Sequence, residues 1–128
     1  MEKLEFFRED YSTLDGTGVH DYIYVIDLAE GHVAALDNLS EGIYIYNLGI
    51  GKGTSVLELM RVSEESRGIT IPYEIVNRRH GDIAECYADV SKVKSEHGWM
   101  AKRDLLFICG DAWCFENSEM INNRNLRI

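Results

Sequence analysis

The densest chemistry in this chain is the run Asn77-Arg78-Arg79-His80-Gly81-Asp82. Guanidinium forks grip phosphate oxygens in pairs, a glycine lets backbone approach closely, and a carboxylate accepts hydrogen bonds from hydroxyls. Six such residues together suit a ligand carrying both phosphate and sugar. They equally suit a solvated turn between two elements, because surface charges need no function. A second candidate is Gly49-Ile50-Gly51-Lys52-Gly53 with Ser55-Val56-Leu57-Glu58 behind it. A glycine-rich turn leading into a capped helix is the order expected of a phosphate cradle. The spacing is neither a Rossmann GxGxxG nor a P-loop, and compact backbone alone also accounts for the glycines.

The elements that must position these residues follow from pattern. Asp15-Gly16-Thr17-Gly18 reads as a tight turn in which Asp15 bonds nearby backbone. Residues 22–26, Tyr-Ile-Tyr-Val-Ile, read as a short strand or extended entry. Asp27 stands as a helix cap with Glu30 completing a capping box. Val25, Leu28, His32, Leu36 and Leu39 then recur at helical steps as one buried stripe, with His32 a core histidine bonded to backbone. Residues 42–48 are apolar on both sides, which predicts a strand covered on two faces. The helix after Ser55 runs to about Ser66 and stops at Gly68. Residues 69–76 alternate as a half-buried strand, placed at an edge by Pro72, the only proline. Cys86-Tyr87-Ala88 is extended, Asp89 caps a helix over 90–97, and Gly98 ends it. A last helix spans 103–116, with Leu106, Cys109 and Trp113 on its buried face and Gly110 as a weak point inside. Residues 1–21 read as polar and turn-rich, and 117–128 as a polar, frayed tail.

Composition narrows the classes. The 128 residues fit one α/β domain, and 45% hydrophobic with 27% charged residues is a globular balance. A net charge of −9 opposes general nucleic-acid or anionic-membrane binding outside a local basic site. No apolar run is long enough to span a bilayer, and the N-terminus lacks a signal-peptide pattern. Cys86, Cys109 and Cys114 are odd in number and lack metal-ligand spacing, so buried free thiols in a reducing cytoplasm are expected.

Several stretches, in this order, resemble the UDP-glucose 4-epimerases, enzymes of the extended short-chain dehydrogenase/reductase group. They are residues 10–23 (DYSTLDGTGVHDYI), 27–33 (DLAEGHV), 45–57 (IYNLGIGKGTSVL), Arg78-Arg79-His80-Gly81-Asp82, Tyr87-Ala88-Asp89 and Gly98-Trp99. The likeness covers nearly all of the chain to about Phe115, and the joint occurrence in register is what makes it specific. It implies a C-terminal, UDP-sugar-binding portion over 1–116 without the N-terminal Rossmann lobe that holds NAD. Carried over position by position, Arg79 contacts the diphosphate, Asp82 the uridine ribose hydroxyls, Tyr22 lies beside the nucleotide, and Val56 and Leu57 border the uracil side. His20 stands where the family has an arginine on the diphosphate. Tyr24, His80 and Val90 stand where it has His, Glu and Pro.

The family's reaction interconverts UDP-glucose and UDP-galactose at C4, in galactose and nucleotide-sugar metabolism, through an NAD-dependent 4-keto intermediate. It needs a glycine-rich dinucleotide loop and a Tyr-x-x-x-Lys pair with a nearby Ser or Thr. Neither motif occurs in these 128 residues. The expectation is a chain without catalytic residues or cofactor of its own, inactive alone and competent at most for the UDP half. The other readings are a non-catalytic nucleotide-binding or protein-interaction module and a degenerate gene fragment. Bare apolar faces on the helix after Asp27 and on residues 42–48 would imply self-association or a separate Rossmann half as partner, and a rearranged fold is the further alternative.

Overall fold

The computed structural model describes residues 3–7, 10–77 and 81–118. The Arg78-Arg79-His80 part of the basic run, and the tail beyond 118, lie outside the described residues.

The described residues form two small sheets and four helices. The first element is β1, Leu4–Phe7, inside the stretch whose sequence reads as turns. It lies parallel to β4, Tyr73–Val76, with Leu4 opposite Tyr73 and Phe6 opposite Ile75. Pro72 sits just before β4, where its missing N–H costs nothing and its carbonyl still accepts from Leu4 N at 2.9 Å. The second sheet has β2, Val19–His20, at its centre, antiparallel to β3, Thr54–Ser55, and parallel to β5, Glu85–Cys86.

Helix α1, Val25–Asp37, begins two residues before the expected cap, and residues 22–24 form no strand. Asp27 is not a cap because its carboxylate has a more distant use. It is wholly buried and accepts from the backbone N–H of Lys102 at 3.2 Å and of Arg103 at 3.0 Å, and from the Arg103 guanidinium. Gly31, one turn on, gives Leu48 and the buried Trp99 ring room to lie against the helix. The outer side of α1 is bare. Val25, Leu36 and Leu39 are exposed, so the expected stripe is no core face. His32 is exposed as well, its Nδ1 2.8 Å from the Leu28 carbonyl oxygen.

Residues 42–48 do not form a strand. Ile43 and Ile45 are 94% and 76% exposed, because no second strand among the described residues lies beside them.

Helix α2, Val56–Arg67, starts at the expected serine: Ser55 Oγ accepts from Glu58 N at 3.0 Å, and left-handed Gly68 ends the helix. Helix α3, Ser91–His97, follows Asp89, whose carboxylate accepts from Ser91 N at 3.0 Å, and stops at Gly98. Helix α4, Leu105–Glu116, is capped by Asp104, which accepts from Phe107 N at 2.8 Å. It packs on α2, where Ser63 Oγ donates to Cys109 Sγ at 3.3 Å and Arg67 to the Gly110 carbonyl at 2.7 Å. Of the expected buried face only Cys109 is buried; Leu106 and Trp113 are exposed. The thiols are free as expected, but Cys86 and Cys114 are exposed rather than buried.

Candidate nucleotide site

A polar concavity lies between β1, the turn before β2, and the segment after residue 80. It measures about 200 Å³ and is lined by Phe6, Phe7, Thr17, His20, Val56 and Asp82, with Glu5, Tyr11, Gly18 and Ile83 completing it.

Each wall has a local cause. The turn over 13–17 is fixed by Asp15, which accepts from Thr17 N at 3.0 Å and Thr17 Oγ1 at 2.8 Å, as its sequence predicts. Its other carboxylate oxygen accepts from Ser55 Oγ at 2.5 Å, tying the turn to the start of α2. Burial pushes the Asp15 carboxyl up, but the hydrogen bonds from Ser55 and Thr17 outweigh it and hold the group below its ordinary range. Val56 N donates to the Gly18 carbonyl at 3.0 Å and Leu57 N to Thr17 Oγ1 at 3.3 Å, so the helix start is hung on that turn. Across the concavity, Tyr11 Oη donates to Asp82 Oδ2 at 3.3 Å.

His20, Val56 and Asp82 therefore line one concavity. Tyr22 stands beside it: its ring meets His20 edge-on at 6.4 Å, and burial raises its phenol above the usual value. Leu57 reaches the lining only through its backbone bond to Thr17. Arg79 falls among the residues not described. Among the described lining, Glu5 and Asp82 supply negative charge and His20 is the one basic group.

Sequence reasoning missed Phe6, Tyr11 and Thr17. For Phe6 the signal was present: Leu4-Glu5-Phe6-Phe7 is a largely apolar, aromatic stretch long enough for a short strand.

The glycine turn is not an open phosphate cradle. Its converging amides are already filled by the chain's own carboxylate. Asp21 accepts from Ile50 N at 2.8 Å, Gly51 N at 3.0 Å and Ala88 N at 3.2 Å. The glycines exist for close approach. A Cβ on Gly49 would lie 2.8 Å from Ala88 Cβ, and Gly51, at φ 77°, would drive one to 2.8 Å from Val90 Cγ2. Among the described residues no group of three His, Cys, Asp or Glu side chains converges as a metal site, and no helix is long and apolar enough to cross a membrane.

No family model matches the chain. Individual relatives do. It is 51% identical over 122 residues to UDP-glucose 4-epimerase of Bacillus subtilis, covering 94% of this chain and 36% of that enzyme. It is 52% identical over 114 residues to the human UDP-glucose 4-epimerase, covering 88% and 33%. Among solved structures, the UDP-glucose 4-epimerase of Bifidobacterium longum in complex with NAD+ and UDP matches with a TM-score of 0.86 at 47% identity, over 91% of this chain and 36% of that one. That of Stenotrophomonas maltophila, with bound NAD and formylated UDP-arabinopyranose, matches with a TM-score of 0.90 at 43% identity, over 95% and 37%. The chain thus spans about a third of the length of the relatives it matches, and over that third its α/β arrangement is theirs rather than a rearranged one.

Proposed function

We propose that this chain, a homologue of about one third of UDP-glucose 4-epimerase, acts as the uridine-diphosphate-holding part of such an enzyme. Residues 1–116 are the UDP-sugar-binding domain in this reading, and 117–128 a polar extension. His20 and Arg79 face the diphosphate, Asp82 the ribose hydroxyls, Tyr22 the nucleotide, and Val56 and Leu57 the base. The observation that carries the reading is the meeting of His20, Val56 and Asp82 in one concavity of a chain about half identical to these enzymes. At about 200 Å³ it is smaller than a typical ligand site of about 300–1,000 Å³, which suits one portion of a nucleotide rather than the whole.

Anion attraction is the demanding part of this assignment. Two carboxylates line the described concavity, so in this reading the diphosphate depends on His20 and on the arginine the resemblance assigns to it, Arg79. An imidazole near neutral pH is a weaker cation than an arginine. Losing one charge-assisted hydrogen bond costs about 1.5–3 kcal/mol, so binding tens of times weaker than with arginine is expected.

Epimerisation itself is assigned elsewhere. NAD and the tyrosine base would come from sequence outside these 128 residues, and the chain alone is expected to be inactive. Calorimetry with UDP tests the binding half: heat on titration, lost on Arg79→Ala and strengthened on His20→Arg, is the expected outcome. No UDP heat from either protein overturns it. Incubation with UDP-galactose and NAD tests the second half, and measurable UDP-glucose would refute the assignment of catalysis to another lobe.

A further inference from the structure

Tyr11 carries no role in the nucleotide assignments, yet its hydroxyl meets the one residue given to the ribose. The side chain is buried in the wall of the concavity at 8% exposure, and its Oη donates to Asp82 Oδ2 at 3.3 Å. Its backbone is tied down independently of that bond. Tyr11 N donates to the Gly16 carbonyl at 3.0 Å, across a turn that Thr13 Oγ1 closes by donating to the Thr17 carbonyl at 2.6 Å. Asp15 fastens the same turn to Ser55. A phenol ring has only two side-chain torsions, so a buried ring on a fixed backbone leaves its hydroxyl little room to move.

Asp82 is the opposite kind of residue. It is exposed, and it follows Gly81, whose φ of 90° turns the chain. Among the described residues the Tyr11 hydroxyl is its one side-chain hydrogen-bond partner. Without that bond a carboxylate on an exposed bend rotates freely, and each ligand that binds must order it. With it, one of about four lone-pair positions is filled and the carboxylate plane is held, leaving its other oxygen for a ligand. Neighbouring hydroxyls are what such a carboxylate accepts, whereas a phosphate would be repelled by it.

We infer that Tyr11 is a positioning residue for Asp82 and, through it, the source of selection for a nucleotide that carries its ribose hydroxyls. This role rests on Asp82 facing the ribose, and the two can fail separately. It requires no contact between Tyr11 and the ligand.

The test titrates the full chain with UDP and with dideoxy-UDP, which has neither ribose hydroxyl, and reads the ratio of the two affinities. Charge-assisted hydrogen bonds to a carboxylate should give the parent a preference of about tenfold or more for UDP. Tyr11→Phe keeps the ring and removes the donor, and should cut that preference about threefold or more. Asp82→Ala should abolish it. In the Asp82→Ala background Tyr11→Phe should change the ratio no further, because nothing is left to orient. A variant that is merely less well folded leaves the ratio unmoved, since both ligands lose the same folded fraction. A preference undiminished by Tyr11→Phe would overturn the positioning role while leaving Asp82 on the ribose. So would a further drop in the Asp82→Ala background, which would put Tyr11 on the ribose itself. Equal affinities in the parent would overturn both roles, and no binding of either nucleotide would overturn the uridine-diphosphate reading with them.

Discussion

Residues 42–48 and residues 73–76 are both rich in Ile and Tyr, yet 73–76 are paired as a strand and 42–48 are not. The difference is a neighbour. Tyr73–Val76 has Leu4–Phe7 alongside, and its ring at Tyr73 stacks tilted on Phe6 at 4.8 Å. Among the described residues, 42–48 are held by α3 through Tyr46 and Lys92 and by Leu48 against Gly31, with no strand alongside. Strand-forming side chains are half of a strand; the other half is a second backbone with free donors and acceptors. Helix α1 repeats the lesson: its inner side is fastened by Asp27 and Gly31, while Val25, Val33 and Leu36 on its outer side are exposed.

If this contrast is right, substitutions on the paired side should be costly and those on the bare side nearly free. Phe6→Ala, deleting a buried ring between the two strands of the first sheet, should lower stability by about 4 kcal/mol in urea unfolding. A loss below about 1 kcal/mol would mean that the sheet contributes little. Asp27→Ala should cost about 3 kcal/mol, because Arg103 loses its partner and two backbone amides are orphaned. Gly49→Ala should cost about 2 kcal/mol through crowding against Ala88 and Asp21. Ile45→Thr in the isolated chain should stay within about 0.5 kcal/mol of the parent; a larger loss would show the bare segment to be part of the core.

Acid offers a graded version of the same test. Burial pushes the Asp27 carboxyl up, but the amide and guanidinium of Arg103 and the amide of Lys102 pull it further down, so its folded value lies below its ordinary one near 3.8. A depressed folded value means stability that is fully present above pH ~4 and is lost as pH falls through the depressed value. Unfolding followed from pH 5 to pH 2 should therefore show the parent losing more stability than Asp27→Ala. Equal slopes would remove Asp27 from the account.

Local chemistry was the legible part of this sequence. The Asp15 turn, the Ser55 cap and the glycine stops at 68 and 98 are decided within four residues, and they stand where pattern puts them. What could not be read was set by distant partners. Asp27 has the form of a helix cap, and only the amides of 102 and 103 make it an anchor. Asp21 carries no local signal at all, yet it fills the glycine turn that otherwise resembles a phosphate cradle. The stripe on α1 is expected to be buried and is exposed, because periodicity states which face is apolar and never what covers it. Likewise three of the six expected nucleotide contacts share the concavity, while its β1 wall required knowing that Leu4 meets Tyr73.

That last pairing bears on how the protein comes into being. Leu4 pairs with Tyr73 and Val19 with Glu85, so neither sheet is complete until residues 73–86 have been made. Contacts this remote along the chain make folding slow, because loop-closure entropy must be lost before any strand is rewarded. Emerging from a ribosome, β1 would wait unpaired until β4 is made, with Phe6 and Phe7 in water. Strand β2 would have only the two-residue β3 beside it until β5 is made. The nascent chain is thus at its most aggregation-prone well before its last helix is made.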